Sequence, residues 1–380
     1  MSGDGRTKPP QPRLTAFVLS GGVALGAYEA GIYEALEEQV VPDWLLGASA
    51  GSVNAAIIAG NPPGQRVDGL RRFWNSVSDE PMPWTSFWLG PPPEAGAWRR
   101  VYNETAALRS LLLGRPGVFR MRLGAMGAEG GVPSLYDLEP LRSRLPECID
   151  FDRLNHPSAP RLTVVATDVV SGDRVIFDTA RGTRIGPEHL LASSALLPIF
   201  APLEVEGRLL GDGGLSSNAP LDLVLDEPAA GPVLCVLTEL FPPRGSRPQS
   251  IGAALSRAGD LGFGNQTRRM LEAGAREYRL RALVGRLASH MPPDLRDSPE
   301  VAPLLAEAEG EARDLTLLLL GYRAGLDEAG PGKVFDFSRA TLADRWLAGS
   351  RAMRDGLDRL GNPGPGSVLA PGLTLVEVDR

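Results

Sequence analysis

The chain has 380 residues, 43% of them hydrophobic and 22% charged, with a formal net charge of −7. That is the composition of a globular protein with room for one large α/β domain plus additions, or for two domains. Its acidic balance argues against a nucleic-acid surface, and its two cysteines, Cys148 and Cys235, offer neither a disulfide framework nor a C-x-x-C metal site.

Residues 1–12 are polar and proline-rich and read as a disordered leader without the apolar region of a secretory signal. No stretch of about 18 apolar residues follows, so the expectation is a cytoplasmic protein that touches membranes peripherally at most. From residue 13 a strand–turn–helix unit occurs twice. The strand Thr15–Leu19 enters Ser20-Gly21-Gly22-Val23-Ala24-Leu25-Gly26 and a helix from Ala27 to about Gln39; the apolar pair Leu45-Leu46 enters Gly47-Ala48-Ser49-Ala50-Gly51 and another helix. A G-x-S-x-G turn between strand and helix is the context of a nucleophile elbow. The apical serine takes a strained backbone, and the residues two before and two after it need to lack a Cβ. Ser49 then stands at a helix N-terminus, where free N–H groups and the dipole favour developing negative charge. The first turn lacks the G-K-[ST] of a P-loop, and Val23 interrupts G-x-G-x-x-G. Its N–H groups are candidates for an oxyanion hole facing Ser49.

From 61 to 135 the texture changes to prolines interleaved with Trp74, Trp84, Trp88 and Trp98, four of the six tryptophans. This insertion is either a cap packed on the core or an interfacial lid whose rings, Trp84, Phe87, Trp88 and Trp98, meet lipid. Strand patterning resumes at Arg161–Asp168, turns at Ser171-Gly172-Asp173 into Arg174–Asp178, passes a helix near 187–195 and forms a hairpin at 203–210. Gly211-Asp212-Gly213-Gly214 follows; an aspartate between glycines is commonly a turn, but this one ends a buried-type strand at the sheet edge expected for Ser49. Cys235, in the strand 233–237, reads as a small buried hydrophobe. Beyond 250 the pattern is helical at 251–260, 264–289 and 299–313, with a strand at 315–320, a last helix from Leu342 to Leu360, and a linker ending in one short strand-like piece. The only histidines are His156, His189 and His290. None lies in a motif; the first and last read as loop residues and His189 as structural. The only lysines are Lys8 and Lys333, a scarcity that reads as genome composition.

Three separated pieces, SGGVALGAYEAG at 20–31, GASAG at 47–51 and LLASSALLPIFAPLEVEGRLLGDGGLSSNAPL at 190–221, together resemble the patatin-like phospholipase family over about 14–240. KVFDFSRATLADRWLAG at 333–349 resembles a C-terminal extension of a bacterial subset. The resemblance implies an α/β fold, a patatin-like three-layer sandwich with a mainly parallel central sheet between helices. Residues 13–240 would be the catalytic domain and 241–380 a mainly helical extension. It also implies acyl-ester hydrolysis by a Ser-Asp dyad without histidine, acting on lipid or other acyl esters, with no metal or cofactor. Ser49 is then the nucleophile, Asp212 the base, and the N–H groups of Gly21, Gly22 and Val23 the oxyanion hole, framed by Gly26, Gly47, Gly51, Gly213 and Gly214. The family's loop usually has glycine where Val23 stands and a cation at Leu25. The valine N–H serves the hole provided its φ stays below zero; the missing cation points to altered substrate preference or a weaker oxyanion field. An esterase or thioesterase on soluble acyl groups or a storage polyester, and a non-catalytic lipid-binding module, remain as alternatives.

Overall fold

In the computed structural model the described residues are 14–79, 94–122, 134–228, 231–245, 247–309, 314–323, 328, 330–361, 363–364 and 366–379. The leader and Trp84, Phe87 and Trp88 of the insertion lie outside them.

The frame is a ten-stranded sheet. In chain order its strands are β1 Leu14–Leu19, β2 Trp44–Ala48, β3 Arg161–Asp168, β4 Arg174–Asp178, β5 Leu203–Val205, β6 Arg208–Asp212, β7 Val233–Glu239, β8 Leu315–Gly321, β9 Val368–Ala370 and β10 Leu373–Asp379. Across the sheet the order is β9-β10-β8-β7-β1-β2-β3-β6-β5, with β4 also on β3. From β10 to β3 every pairing is parallel; β4, β6, β5 and β9 add antiparallel edges. The central strands are continuous apolar runs because both faces are covered. Alternate residues sort to opposite layers, Phe17 and Leu19 into one core and Ala16 and Val18 into the other.

The helices that concern the site are α1 Gly26–Glu37, α2 Ala50–Ala59, α3 Arg66–Val77, α4 Ala97–Leu113, α5 Pro187–Ser193, α6 Ile251–Ser289 and α7 Arg339–Leu360. Helices α1 and α7 cross at small residues: a Cβ on Gly31 would lie 1.9 Å from the Trp346 carbonyl oxygen, and one on Gly349 equally close to that of Tyr28. The C-terminal region is therefore built onto the same sheet and core as the first unit. Within the insertion, α3 buries Trp74 and Phe73, whereas Trp98 on α4 is 78% exposed.

Two expectations change. The two helices expected at 251–260 and 264–289 are one 39-residue helix, α6. Its glycines are not breaks: Gly264 passes over the Phe241 carbonyl, which would stand 2.2 Å from a Cβ, so a small residue is needed there for contact. The single strand-like piece of the tail is a hairpin, β9 and β10, with β10 along the whole of β8.

Candidate active site

Sheet register brings two sequence-distant residues to one level. Ala48 ends β2 opposite Val165, and Asp212 ends β6 opposite Ala166, so Ser49 and Asp212 emerge together at the carboxyl edge of the parallel strands. Open α/β sheets present ligand crevices at this edge. Ser49 has φ 53° and ψ −127°, outside the regions favoured by L-residues, and α2 begins at the next residue. The framing glycines explain why the turn is possible: a Cβ on Gly47 would lie 2.5 Å from the Gly51 backbone, and one on Gly51 would lie 2.4 Å from the Leu19 carbonyl oxygen.

The end of α5 holds both turns in place. The Ser49 N–H donates to the Ser193 carbonyl at 3.1 Å and to its Oγ at 3.0 Å, and the N–H groups of Gly213 and Asp212 donate to the carbonyls of Ser193 (3.1 Å) and Ala195 (2.9 Å). Thr167 Oγ1 donates to the Asp212 carbonyl at 2.8 Å. The Asp212 carboxylate accepts from the Gly214 N–H at 2.7 Å, and the Ser49 hydroxyl is near enough to lower its pKa. Burial raises its pKa to about 6, against the lowering effect of those two neighbours. A carboxylate that is ionised at neutral pH and lies beside a serine hydroxyl is suited to accept that hydroxyl's proton.

The glycine turn lies alongside. A Cβ on Gly21 would lie 3.0 Å from Ser49 Cβ, and Gly22 and Val23 border the same cavity. Two expectations need correction. The Gly21 N–H donates to the Asn218 carbonyl at 3.1 Å, so it is already engaged. Val23 has φ 51°, so the condition for its N–H to serve the hole is not met, and Gly22 is left as the turn's candidate donor. The chain turns from β1 into α1 within one tight helical turn that buries Ala24 and Leu25 completely, and the residue leading it takes the strained conformation. Gly26 backs onto the Trp74 ring, Gly213 onto the Val165 carbonyl, and Gly214 onto the Asp212 carboxylate.

Behind the two turns lies a residue that the motifs did not mark. Glu29, on α1, is fully buried and accepts from the Ser20 N–H at 2.7 Å, Thr238 Oγ1 at 2.6 Å and Asn54 Nδ2 at 3.2 Å. Burial raises its pKa to about 8, against those hydrogen bonds. The same Asn54 amide donates to the Gly26 carbonyl at 2.9 Å. The only available signal was a glutamate within the apolar stretch Ala-Tyr-Glu-Ala-Gly-Ile.

The C-terminal half supplies the facing side. Gln266 on α6 accepts from the Asn218 N–H at 2.9 Å and donates to the Gly214 carbonyl at 3.1 Å, bracing the Asp212 loop. Arg345 on α7 is 1% exposed and donates to the carbonyls of Ala24 (3.1 Å), Asp336 (3.2 Å) and Lys333 (2.8 Å), and to Glu328 at 2.6 Å. Leu25 carries no charge, so the cation that reaches the glycine turn comes from near the other end of the chain.

Between these walls is a cavity of about 460 Å³ bordered by Ser49, Asp212, Gly22 and Val23 and closed largely by apolar side chains, Leu196, Phe200, Phe241 and Phe263 among them. No histidine borders it. His189 is buried, with Nδ1 accepting from the Gly186 N–H at 2.9 Å and its ring edge-on to Phe177, a structural placement as expected. His290 caps the end of α6, and His156 hydrogen-bonds Ser158. Cys148 and Cys235 are buried free thiols.

These elements belong to a known family. The model described as patatin-like phospholipase matches residues 17–225, and a second, described as patatin phospholipase, matches 261–361. The chain is a member of the patatin-like phospholipase family, which at the family level means hydrolysis of lipid esters. Among solved structures, it is similar to the crystal structure of VipD from Legionella pneumophila, at 14% identity and a TM-score of 0.37, over 92% of this chain and 67% of that one. Comparison with curated proteins gives no match.

Proposed function

We propose that this protein is a serine acyl hydrolase that cleaves fatty-acyl esters through Ser49 and Asp212. The observation that carries the reading is the meeting of Ser49, on its strained elbow, with the buried Asp212 carboxylate at one level of the sheet and at the edge of an apolar cavity. Asp212 takes the hydroxyl proton as Ser49 Oγ attacks the ester carbonyl, and the N–H group of Gly22 receives the oxyanion. Collapse of the tetrahedral intermediate expels the alcohol, which takes the proton from Asp212. A water molecule, deprotonated by Asp212, then releases the fatty acid from Ser49. The scheme uses no metal or cofactor.

Contact with a lipid surface is part of the proposal. Trp98, Val101, Leu108 and Leu112 are exposed on α4 at spacings that place them on one face. Among the described residues no helix is long and apolar enough to cross a membrane.

A fluorophosphonate probe tests the reading before any substrate is known. Wild type should label, and Ser49→Ala should not, with an almost unchanged melting temperature; equal labelling of the mutant would sink the assignment. Because the Asp212 pKa of about 6 overlaps the range of histidine, an acid limb in the rate profile identifies nothing by itself. Asp212→Asn should abolish hydrolysis, whereas replacing His156, His189 and His290 by Gln or Asn should leave most of it.

A further inference from the structure

The described residues contain one lysine, and it borders the cavity over Ser49. Lys333 lies in the 3-10 turn Gly330–Phe335 and is 6% exposed; its ammonium donates to Asp260 Oδ1 on α6 at 2.8 Å and stands 5.8 Å from the centre of the Phe241 ring. Burying an ammonium beside phenyl rings is unfavourable unless something compensates it. Asp260 compensates it only in part, because its second oxygen lies 4.0 Å from Arg257 Nη1. One carboxylate thus faces two cations.

The next charges outward are Glu328, near enough for Lys333 to lower its pKa, and Arg345, which binds Glu328. At Asp260 itself two cations, Lys333 and Arg257, meet one carboxylate, whereas farther out Arg345 is offset by Glu328 and Asp336. An ammonium has three donors; one goes to Asp260, and no other protein acceptor for Lys333 occurs among the described residues. Asp260 and Lys333 border the same cavity as Ser49, Gly22 and Val23. The turn that carries Lys333 is fixed from behind, since Arg345 grips the Lys333 carbonyl and the Ala24 carbonyl with one guanidinium. A lone strap between α6 and this turn would need one cation to one carboxylate; a cation that shares its carboxylate with Arg257 and keeps spare donors, facing an apolar acyl-sized space, is a recognition group.

We propose that Lys333, tuned by Asp260, binds an anionic group on the acyl-ester substrate, a phosphate or carboxylate, and so selects anionic over neutral acyl esters. This rests on the reading of the cavity as an acyl-ester site. Two measurements separate the claims. The first compares kcat/KM on 1-lauroylglycerol 3-phosphate and on 1-lauroylglycerol, which share one acyl chain. Wild type should prefer the phosphate. Lys333→Met should reduce the ratio at least tenfold, mainly through KM for the phosphate ester, with Lys333→Arg restoring part of it; Asp260→Asn, which removes the competing carboxylate, should raise it.

The second measurement needs no turnover: calorimetric binding of dodecyl phosphate, laurate and dodecyl maltoside to Ser49→Ala protein with and without Lys333→Met. The anions should lose at least tenfold in affinity and the neutral detergent should not, with phosphate against laurate deciding which anion fits. If Lys333→Met does not fold, Asp260→Asn and Lys333→Arg carry both measurements. Equal changes on charged and neutral ligands, or none, overturn the proposal. Full hydrolysis by Ser49→Ala would instead overturn the catalytic reading and leave the binding result standing.

Discussion

The cavity over Ser49 has two walls made by different means. One is the pair of glycine turns after β1 and β2, where backbones meet at distances that exclude any Cβ and the polar groups behind them are uncharged donors around one buried glutamate. The other comes from α6, the 330–335 turn and α7, and is fastened by long charged side chains: Lys333 to Asp260, Arg345 to Glu328 and three carbonyls. The first is rigid because nothing else fits. The second is held by interactions that can be weakened one at a time.

The difference is sharpest at glycine. Gly51→Ala puts a methyl 2.4 Å from the Leu19 carbonyl oxygen, in a place where backbone would have to move. A loss on the order of 4 kcal/mol or more is expected, read as failure to give soluble, cooperatively unfolding protein. On the second wall the expected loss comes from charge. Arg345→Met leaves Glu328 buried without its cation and takes a donor from each of three carbonyls, a cost of about 3–5 kcal/mol. Denaturant midpoints would show it, Arg345→Lys should recover part, and the fluorophosphonate labelling rate should fall with Arg345→Met because the Ala24 carbonyl is released.

Asp212 gives a smaller effect of opposite sign. Its folded-state pKa, about 6, lies above the ordinary 3.8, so the folded state holds the proton more tightly and stability falls as pH rises through that window. Above pH 6 the buried carboxylate costs up to about 3 kcal/mol. Asp212→Asn should therefore be inactive yet more stable than wild type at pH 8, with the two converging near pH 4. Urea midpoints at the two pH values check this, and a less stable mutant at pH 8 would contradict the assignment. The smallest effect belongs to Gly262 on α6, where a Cβ would meet nothing within 4 Å. Gly262→Ala should stabilise by about 0.5–1 kcal/mol, visible as a modest rise in melting temperature.

The same division explains what the sequence made legible. Strand–turn–helix grammar and glycine spacing are local, so β1, β2, the elbow at Ser49 and the β6 end at Asp212 could be read from the residues alone. Register then does what spacing cannot, bringing Asp212 level with Ser49. The second wall leaves almost no local trace. Lys333 and Arg345 matter because of what they reach, Asp260 73 residues away and Ala24 321 residues away, and a lysine read only as a survivor of composition gave no hint. Gly264 misled for the related reason that its purpose is a contact with Phe241, while chain order alone suggested a break. Val23 would have needed negative φ to serve the hole; the tightness of its turn is a property of the assembled β1–α1 corner.

Val23 and Ser49 are both L-residues held at positive φ, on turns that face each other. Conformations of this kind cost on the order of 1–3 kcal/mol each, and glycine would relieve the cost at either position. Drift toward glycine at 49 would therefore make the protein more stable while ending the chemistry proposed for it. On the proposed chemistry it is the hydroxyl, not the backbone, that serine contributes at that corner, so a glycine variant there would be a stable, inert form of the same scaffold.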